Sequence, residues 1–254
     1  MRIAIAGATG RIGALTAAVL EQDGHRVVPI SRAQGVNVHT GVGLPEALAG
    51  VDAVIDVINC TATSKQENVA FFSTATNNLL AAEREAGVAH HVALSIAGVQ
   101  RVQGNAHYAG KRAQEAAIEA GQVPYTIVPA TQFHDFAEMI AGWTETDGVA
   151  VLPPLLIQPT APADVAQVLA RVATGAPRGR HVDIAGPDPQ DLVDMARRTL
   201  AVRGRSIDLV PSWHSGIFGV EMAGDVLLAA ADAEITPTSF DAWLAAEAEG
   251  GSEG

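Results

Sequence analysis

An α/β fold built on a doubly wound parallel sheet is predicted by three observations on this 254-residue chain. Short β-branched runs alternate with longer helical patterns, a glycine-rich turn separates the first run from the first helix, and the apolar content is aliphatic. Apolar residues make up 48% of the sequence and aromatic residues only 4%, so the core must be filled by Ala, Val, Leu and Ile. That filling suits a parallel sheet covered by helices on both faces. The length allows one large α/β domain, or such a domain with a smaller lobe folded against it.

In order, Ile3 to Ala6 reads as a strand, Ile12 to Gln22 as a helix and Arg26 to Ile30 as a strand, which is the βαβ signature. A short helix at Pro45 to Ala49, a strand at Ala53 to Ile58 and a long helix at Glu67 to Ala86 follow, the last ending at Gly87 as a natural C-cap. His91 to Ser95 is the next strand. After an irregular stretch from Ile96 to Ala106, a helix runs from Tyr108 to Ala120, and the strand Tyr125 to Val128 completes the sheet. Beyond Thr131 the order loosens: a strand at Val149 to Leu152, proline-punctuated segments, a helix at Ala163 to Ala173, a strand at His181 to Ala185 and a helix at Leu192 to Val202. The expected organisation is a single domain, with residues 1–131 mainly the sheet core and residues 132–246 mainly a small C-terminal substrate lobe. Residues 247–254, rich in Gly, Glu and Ser, form a tail that frays.

The formal net charge of −12 and the lack of any basic run argue against a nucleic-acid partner, which needs clustered Lys and Arg. The single cysteine, Cys60, forms no internal disulfide and suits a reducing cytoplasm. No segment reads as a membrane span, and Met1 to Ala6 reads as a strand rather than a leader because the apolar run stops at Gly7.

Glycines 7, 10 and 13 in Gly7-Ala8-Thr9-Gly10-Arg11-Ile12-Gly13 stand between the first strand and the first helix. In a Rossmann-type fold this is the phosphate turn. Gly7 allows the tight turn, Gly10 lets backbone N–H groups approach a pyrophosphate, Gly13 permits close helix–sheet packing, and the helix N-terminus offers the positive end of its dipole. Thr9, Arg11 and Ile12 complete the expected contact surface. At the end of the second strand, where an acidic residue accepts the ribose hydroxyls of NAD, this chain has Ser31 and Arg32. A guanidinium suits a 2′-phosphate, with Arg11 as a second source, so NADP(H) is the preferred cofactor and NAD(H) the alternative. Asn59, with Cys60 and Thr61, follows the third strand and borders the diphosphate or the nicotinamide ribose. Cys60 reads as packing, having no basic neighbour to activate it.

Ser95 closes the strand Val92-Ala93-Leu94, at the carboxyl edge where open α/β sheets bind ligands, and its hydroxyl can donate to a substrate carbonyl. Tyr108 and Lys111 stand at i and i+3, and His107 stands four residues before Lys111. A neighbouring ammonium favours a phenolate, so Tyr108 and His107 are both candidates for proton transfer. The histidines show no metal-binding spacing, and His134 is placed near the mouth of the cleft or at a helix start.

The phosphate turn, Leu94-Ser95-Ile96-Ala97-Gly98, Tyr108-Ala109-Gly110-Lys111-Arg112-Ala113-Gln114-Glu115, and Pro124 to Val128 followed by Ala130-Thr131-Gln132-Phe133 together resemble the atypical short-chain dehydrogenases/reductases of the NAD(P)H-binding, NmrA-like group. Leu155 to Pro159, Asp164-Val165-Ala166, Pro237 to Phe240 and Trp243-Leu244 are similar to that group's substrate lobe and closing helix. The resemblance implies NADP(H) as cofactor and places Ser95 and Lys111 on the group's Ser and Lys positions, with Lys111 expected to hold the cofactor's ribose as well as to act electrostatically. The group's usual Tyr position, four residues before the Lys, holds His107 here, and Pro129 stands where similar sequences carry Arg. Three functions follow as expectations. The first is an NADP(H)-dependent oxidoreductase acting on a small or medium organic carbonyl, alcohol or conjugated alkene. The others are a non-catalytic NADP-binding redox sensor, and a nicotinamide-using epimerase, isomerase or dehydratase. A small molecule is the expected partner of a monomer or homodimer.

Overall fold

The structure is a computed structural model that describes residues 1–214 and 218–250. In chain order its elements are β1 (Arg2–Ala6), α1 (Arg11–Gln22), β2 (Arg26–Ile30), α2 (Leu44–Leu48), β3 (Ala53–Asp56), α3 (Lys65–Ala86), β4 (His90–Ile96), α4 (Ala106–Ala120), β5 (Tyr125–Ala130) and α5 (Phe136–Thr144). There follow β6 (Glu145–Thr146), β7 (Val149–Leu152), β8 (Leu156–Ile157), α6 (Pro162–Ala173), β9 (Gly179–Arg180), β10 (Ile184–Ala185), β11 (Gln190–Asp191), α7 (Leu192–Val202), β12 (Asp208–Pro211), β13 (Glu234–Ile235) and α8 (Phe240–Gly250). The chain divides into two compact units, one of Met1–Pro129 with Val165–Val182, the other of Ala130–Asp164 with Asp183–Gly254.

The first unit carries the sheet β5-β4-β3-β1-β2, with β9 beside β5. The recorded registers are parallel: Ile3 lies opposite both Val27 and Ala53, Val54 opposite His91, and Thr126 opposite Gly179. β2 is the edge strand, which is why Pro29 is tolerated in it. β1 and β3 are buried throughout apart from Arg2, so their sequences are runs of Ile, Ala and Val rather than alternations.

Helix α3 starts at a capping box, in which the Ser64 hydroxyl accepts from the Glu67 N–H at 3.2 Å and donates to the Glu67 carboxylate at 2.6 Å. It stops at Gly87, whose φ of 72° is left-handed. Between those signals Asn68, Phe72, Ala75, Thr76, Leu79, Leu80 and Glu83 form one buried stripe at helical spacing. α4 packs along α3, and its start is capped by the Asn105 side chain, which accepts from the Tyr108 N–H at 3.1 Å.

The second unit holds a sheet ordered β12-β7-β6, the antiparallel pair β8–β11, and β10 parallel to β13 with Ile184 beside Ala130. Helix α7 packs with α5 and α8. His134, expected at a cleft mouth or a helix start, is fully buried here: its Nε2 is 3.0 Å from the Thr238 carbonyl, and its ring packs on Phe240 and Trp243. Asp164 holds the same turn by accepting from the Thr238 N–H and hydroxyl, each at 3.0 Å.

The continuous strand expected at His181 to Ala185 is broken. Gly179–Arg180 pairs with Thr126–Ile127, and Ile184–Ala185 pairs separately with Glu234–Ile235. Within the tail expected to fray from Glu247, α8 continues to Gly250 and Glu247 is ion-paired with Arg203. Residues 251–254 of that expected tail lie outside the described residues. No helix among the described residues is long and apolar enough to cross a membrane.

Candidate functional site

Strand order reverses at β1. The chain passes from β1 to β2 on one side and then crosses to β3 on the other, so the turns leaving β1 and β3 diverge and open a crevice at the carboxyl ends of the strands. The glycine turn lies there. Gly7 has φ +89°, and a Cβ on it would sit 2.9 Å from the Val57 carbonyl oxygen at the end of β3. A Cβ on Gly13 would sit 2.3 Å from the Gly7 carbonyl oxygen and 2.8 Å from the Ala8 Cα. Both positions therefore exclude any side chain, which lets α1 descend directly onto the turn. Gly10 differs: its φ is −78° and a Cβ would come only to 3.2 Å from the Gly7 oxygen. Internal packing demands glycine less strongly there than at its two neighbours. Gly10 caps α1 with no side-chain hydrogen bond, and Thr9, Gly10 and Arg11 are exposed while Ile12 is half-buried.

At the end of β2, the Ser31 hydroxyl oxygen is buried and has no hydrogen-bond partner. Arg32 is exposed at the head of a short 3-10 turn that closes at Gly35, φ 76°. A buried orphan hydroxyl beside a solvent-facing guanidinium fits an anionic group received at this corner. Asn59 is exposed past β3, its side-chain oxygen accepting from the Cys60 N–H at 3.0 Å, and Cys60 is half-buried against the core around Phe72 and Leu79.

The candidate catalytic residues gather on α4 and β4. Lys111 is 5% exposed; its ammonium donates to the Leu94 carbonyl at 2.6 Å and to the Gln114 side-chain oxygen, and lies 5.0 Å from the centre of the Phe72 ring. Burial pushes its pKa down to about 8, against the pull of Asp56 and then Glu115. His107 meets the same Phe72 ring edge to face at 5.6 Å. Burial, helped by the Lys111 charge, pushes its pKa down to about 4, so the imidazole is neutral at pH 7. The helix thus brings His107 and Lys111 together on one aromatic ring. Tyr108, one position on, is buried at 5% exposure.

Ser95, at the end of β4, is buried and hydrogen-bonded to α4. Its hydroxyl donates to the Glu115 carboxylate at 2.6 Å, and that carboxylate also receives Arg180 at 2.5 Å and Gln100 at 3.3 Å. A serine has one proton to donate. In this structure that proton is given to Glu115, which leaves the Ser95 oxygen its lone pairs to accept with.

Asp56, Gln114, Glu115 and Phe72 were not singled out in the sequence. Asp56 carried the clearest signal, an acidic residue closing the otherwise apolar strand Ala53-Val54-Ile55. Residues 56 and 57 join the two halves of the site: Val57 lies against Gly7, and Asp56 accepts from the Gln114 amide at 2.9 Å.

A doubly wound sheet with this turn at its switch point defines a dinucleotide-binding protein. A family model described as NAD(P)H-binding matches residues 7–175, and the chain belongs to that family, in agreement with the NmrA-like resemblance. No curated protein sequence matches the chain significantly. Among solved structures, the fold is similar to a short-chain dehydrogenase/reductase superfamily protein from Agrobacterium tumefaciens with bound NAD, at 15% identity and TM-score 0.73, covering 100% of this chain and 98% of that one. It is also similar to a dTDP-4-dehydrorhamnose reductase from Clostridium acetobutylicum, at 16% identity and TM-score 0.73, covering 96% and 98%. A third is an NADPH-dependent quinone oxidoreductase from Escherichia coli complexed with NADPH, at 19% identity and TM-score 0.64, covering 83% and 78%. At these identities the likeness concerns the fold.

Proposed function

We propose that this chain is an NADP(H)-dependent oxidoreductase acting on a small or medium organic carbonyl, alcohol or conjugated alkene. The observation that carries the cofactor choice is the orphan buried hydroxyl of Ser31 beside Arg32, where an NAD-specific site would present a carboxylate. The backbone of Gly7 to Gly13 and the start of α1 receive the diphosphate, with Thr9, Arg11, Ile12 and Asn59 around it. Ser31 and Arg32 take the 2′-phosphate. When bound, the nicotinamide supplies or accepts a hydride.

The chain's own part is the proton. Lys111, with its pKa near 8, carries a proton at neutral pH and gives it up just above. Neutral His107 can accept at one ring nitrogen while donating from the other, so it passes a proton without carrying net charge. Tyr108, as buried as Lys111, is the alternative proton donor. The protein is read as a cytoplasmic monomer or homodimer taking a small-molecule substrate, with the second unit contributing the substrate lobe.

A second reading, a non-catalytic NADP-binding redox sensor, is favoured by one observation: the serine at the family's Ser position spends its proton on Glu115. The deciding experiment titrates purified protein with NADPH and NADH and follows nicotinamide oxidation across quinones, ketones and aldehydes. Turnover of any of them supports the first reading; tight NADPH binding with none turned over supports the second. Arg32→Asp is expected to weaken NADPH binding on the order of tenfold to a hundredfold with little change for NADH, as loss of a charge-assisted contact requires. Equal losses for both nucleotides would remove the 2′-phosphate assignment.

A further inference from the structure

A line of buried polar side chains runs from β3 to α4 through the apolar interior of the first unit. Asp56, fully buried, accepts from the Ile58 N–H at 3.0 Å with one carboxylate oxygen and from the Gln114 side-chain amide at 2.9 Å with the other. Gln114, 1% exposed, turns its amide oxygen to the Lys111 ammonium. The amide orientation is forced by its partners, since a carboxylate only accepts and an ammonium only donates.

We propose that Asp56 and Gln114 are positioning residues for Lys111: the Asp56 carboxylate, acting through the Gln114 amide, is the counter-charge that holds the buried ammonium at the Leu94 carbonyl and sets the pH at which it loses its proton. A buried ammonium is stable as a charge only when paired or fully hydrogen-bonded. The groups around it are few. β3 contributes Asp56, β4 the Leu94 carbonyl, α3 the Phe72 ring, and α4 itself His107 and Glu115. Glu115 is already engaged by Ser95, Arg180 and Gln100, and the buried Glu83–His91 pair, at 2.8 Å, lies within electrostatic reach of Asp56 but makes no hydrogen bond to it. Asp56 is thus the acidic group joined to Lys111 by a side-chain bridge. The proton-carrying role of Lys111 rests on the functional reading above; the bridge does not.

Lys111 and Lys65 are the only lysines in the chain, and Lys65 is exposed, so protein labelled with 13C at lysine Cε gives one test resonance and one internal reference. The Lys111 signal is expected to titrate with a midpoint near 8. Asp56→Asn should lower that midpoint by about one unit or more, the usual effect of losing an adjacent opposite charge, with Lys65 unmoved. Gln114→Leu, which keeps the carboxylate and removes the bridge, should move it in the same direction. In the unaltered protein, which needs no variant to fold, the Gln114 side-chain amide protons should shift with the Lys111 midpoint. A Lys111 midpoint unmoved in Asp56→Asn, or a Gln114 amide silent through that titration, overturns the proposal. The alkaline limb of kcat, measured with a quinone from the panel and NADPH, should follow the same displacement. If the NMR midpoint moves and that limb does not, the positioning role stands and the catalytic reading of Lys111 fails instead.

Discussion

Ser95 spends its one hydroxyl proton on Glu115, which ties the end of β4 to α4 through a carboxylate 2% exposed. Replacing it by alanine leaves that buried oxygen without its donor, while Arg180 and Gln100 still serve the other. An unsatisfied buried acceptor costs about 1–3 kcal/mol, so Ser95→Ala should lower the unfolding free energy by that amount in urea titration and leave NADPH affinity unchanged. Undiminished stability with lost turnover would instead put Ser95 on the substrate. The same residue shows how far the site was legible. Gly7, Gly10, Gly13, Ser31 and Arg32 could be placed from sequence because their meaning is local: a turn, a helix start, a strand end. The partners of Ser95 and Lys111 were not, because Glu115 and Gln114 sit 20 and 3 residues from them and Asp56 sits 58 from Gln114. Spacing put Tyr108 and Lys111 on one helical face, with His107 four residues before the lysine; it could not name the Phe72 ring that meets His107 and Lys111.

The approach of α4 to α3 depends on a residue with no side chain. A Cβ on Gly110 would fall 2.6 Å from the Phe72 ring and 3.1 Å from both the Asn68 Cβ and carbonyl oxygen. Alanine is worth about 1 kcal/mol more than glycine inside a helix, whereas forcing a methyl into a filled core costs about 1–3 kcal/mol. The clash is with a ring buried at 0% exposure, so the second effect should win. Gly110→Ala is expected to lower the melting temperature and, through Phe72, to disturb both His107 and Lys111; a rise in melting temperature would show that the helices can separate at no cost. Elements with a strong period, a cap or a glycine stop, such as α1, α3 and α4, were legible within two residues. α5 was not, because Phe136 to Thr144 carries aromatics and Gly142 where a helix pattern needs strong formers, and packing on α7 stabilises it instead. The two-residue strands β6, β8, β11 and β13 are too short to leave a period in sequence.

For the molecule as a whole, stability and function are linked through protons. The first unit gathers Met1–Pro129 and Val165–Val182, so a segment from late in the chain returns to the sheet, which a linear reading at residue 131 does not anticipate. It brings Arg180 to Glu115 and the Gly175 carbonyl to His90, so the polar contacts of the site are complete only once that late segment has joined the sheet. His107 makes this measurable. Its pKa is near 6.5 when unfolded and about 4 when folded, because burial and then Lys111 oppose its positive charge. The unfolded chain therefore binds the proton first as pH falls. Stability contributed by neutral His107 is present above about 6.5, is lost between there and about 4, and changes no further below. Between pH 7 and pH 5 this loss is on the order of 1–2 kcal/mol. Burial also raises the pKa of Glu83, so the measurement must be a difference. Urea unfolding of the native chain and of His107→Gln at both pH values isolates the imidazole: the native chain should lose more stability on acidification than the variant. Equal losses would mean that the ring is solvated enough to take a proton in the folded state, and with it would go the assignment of His107 as a neutral relay.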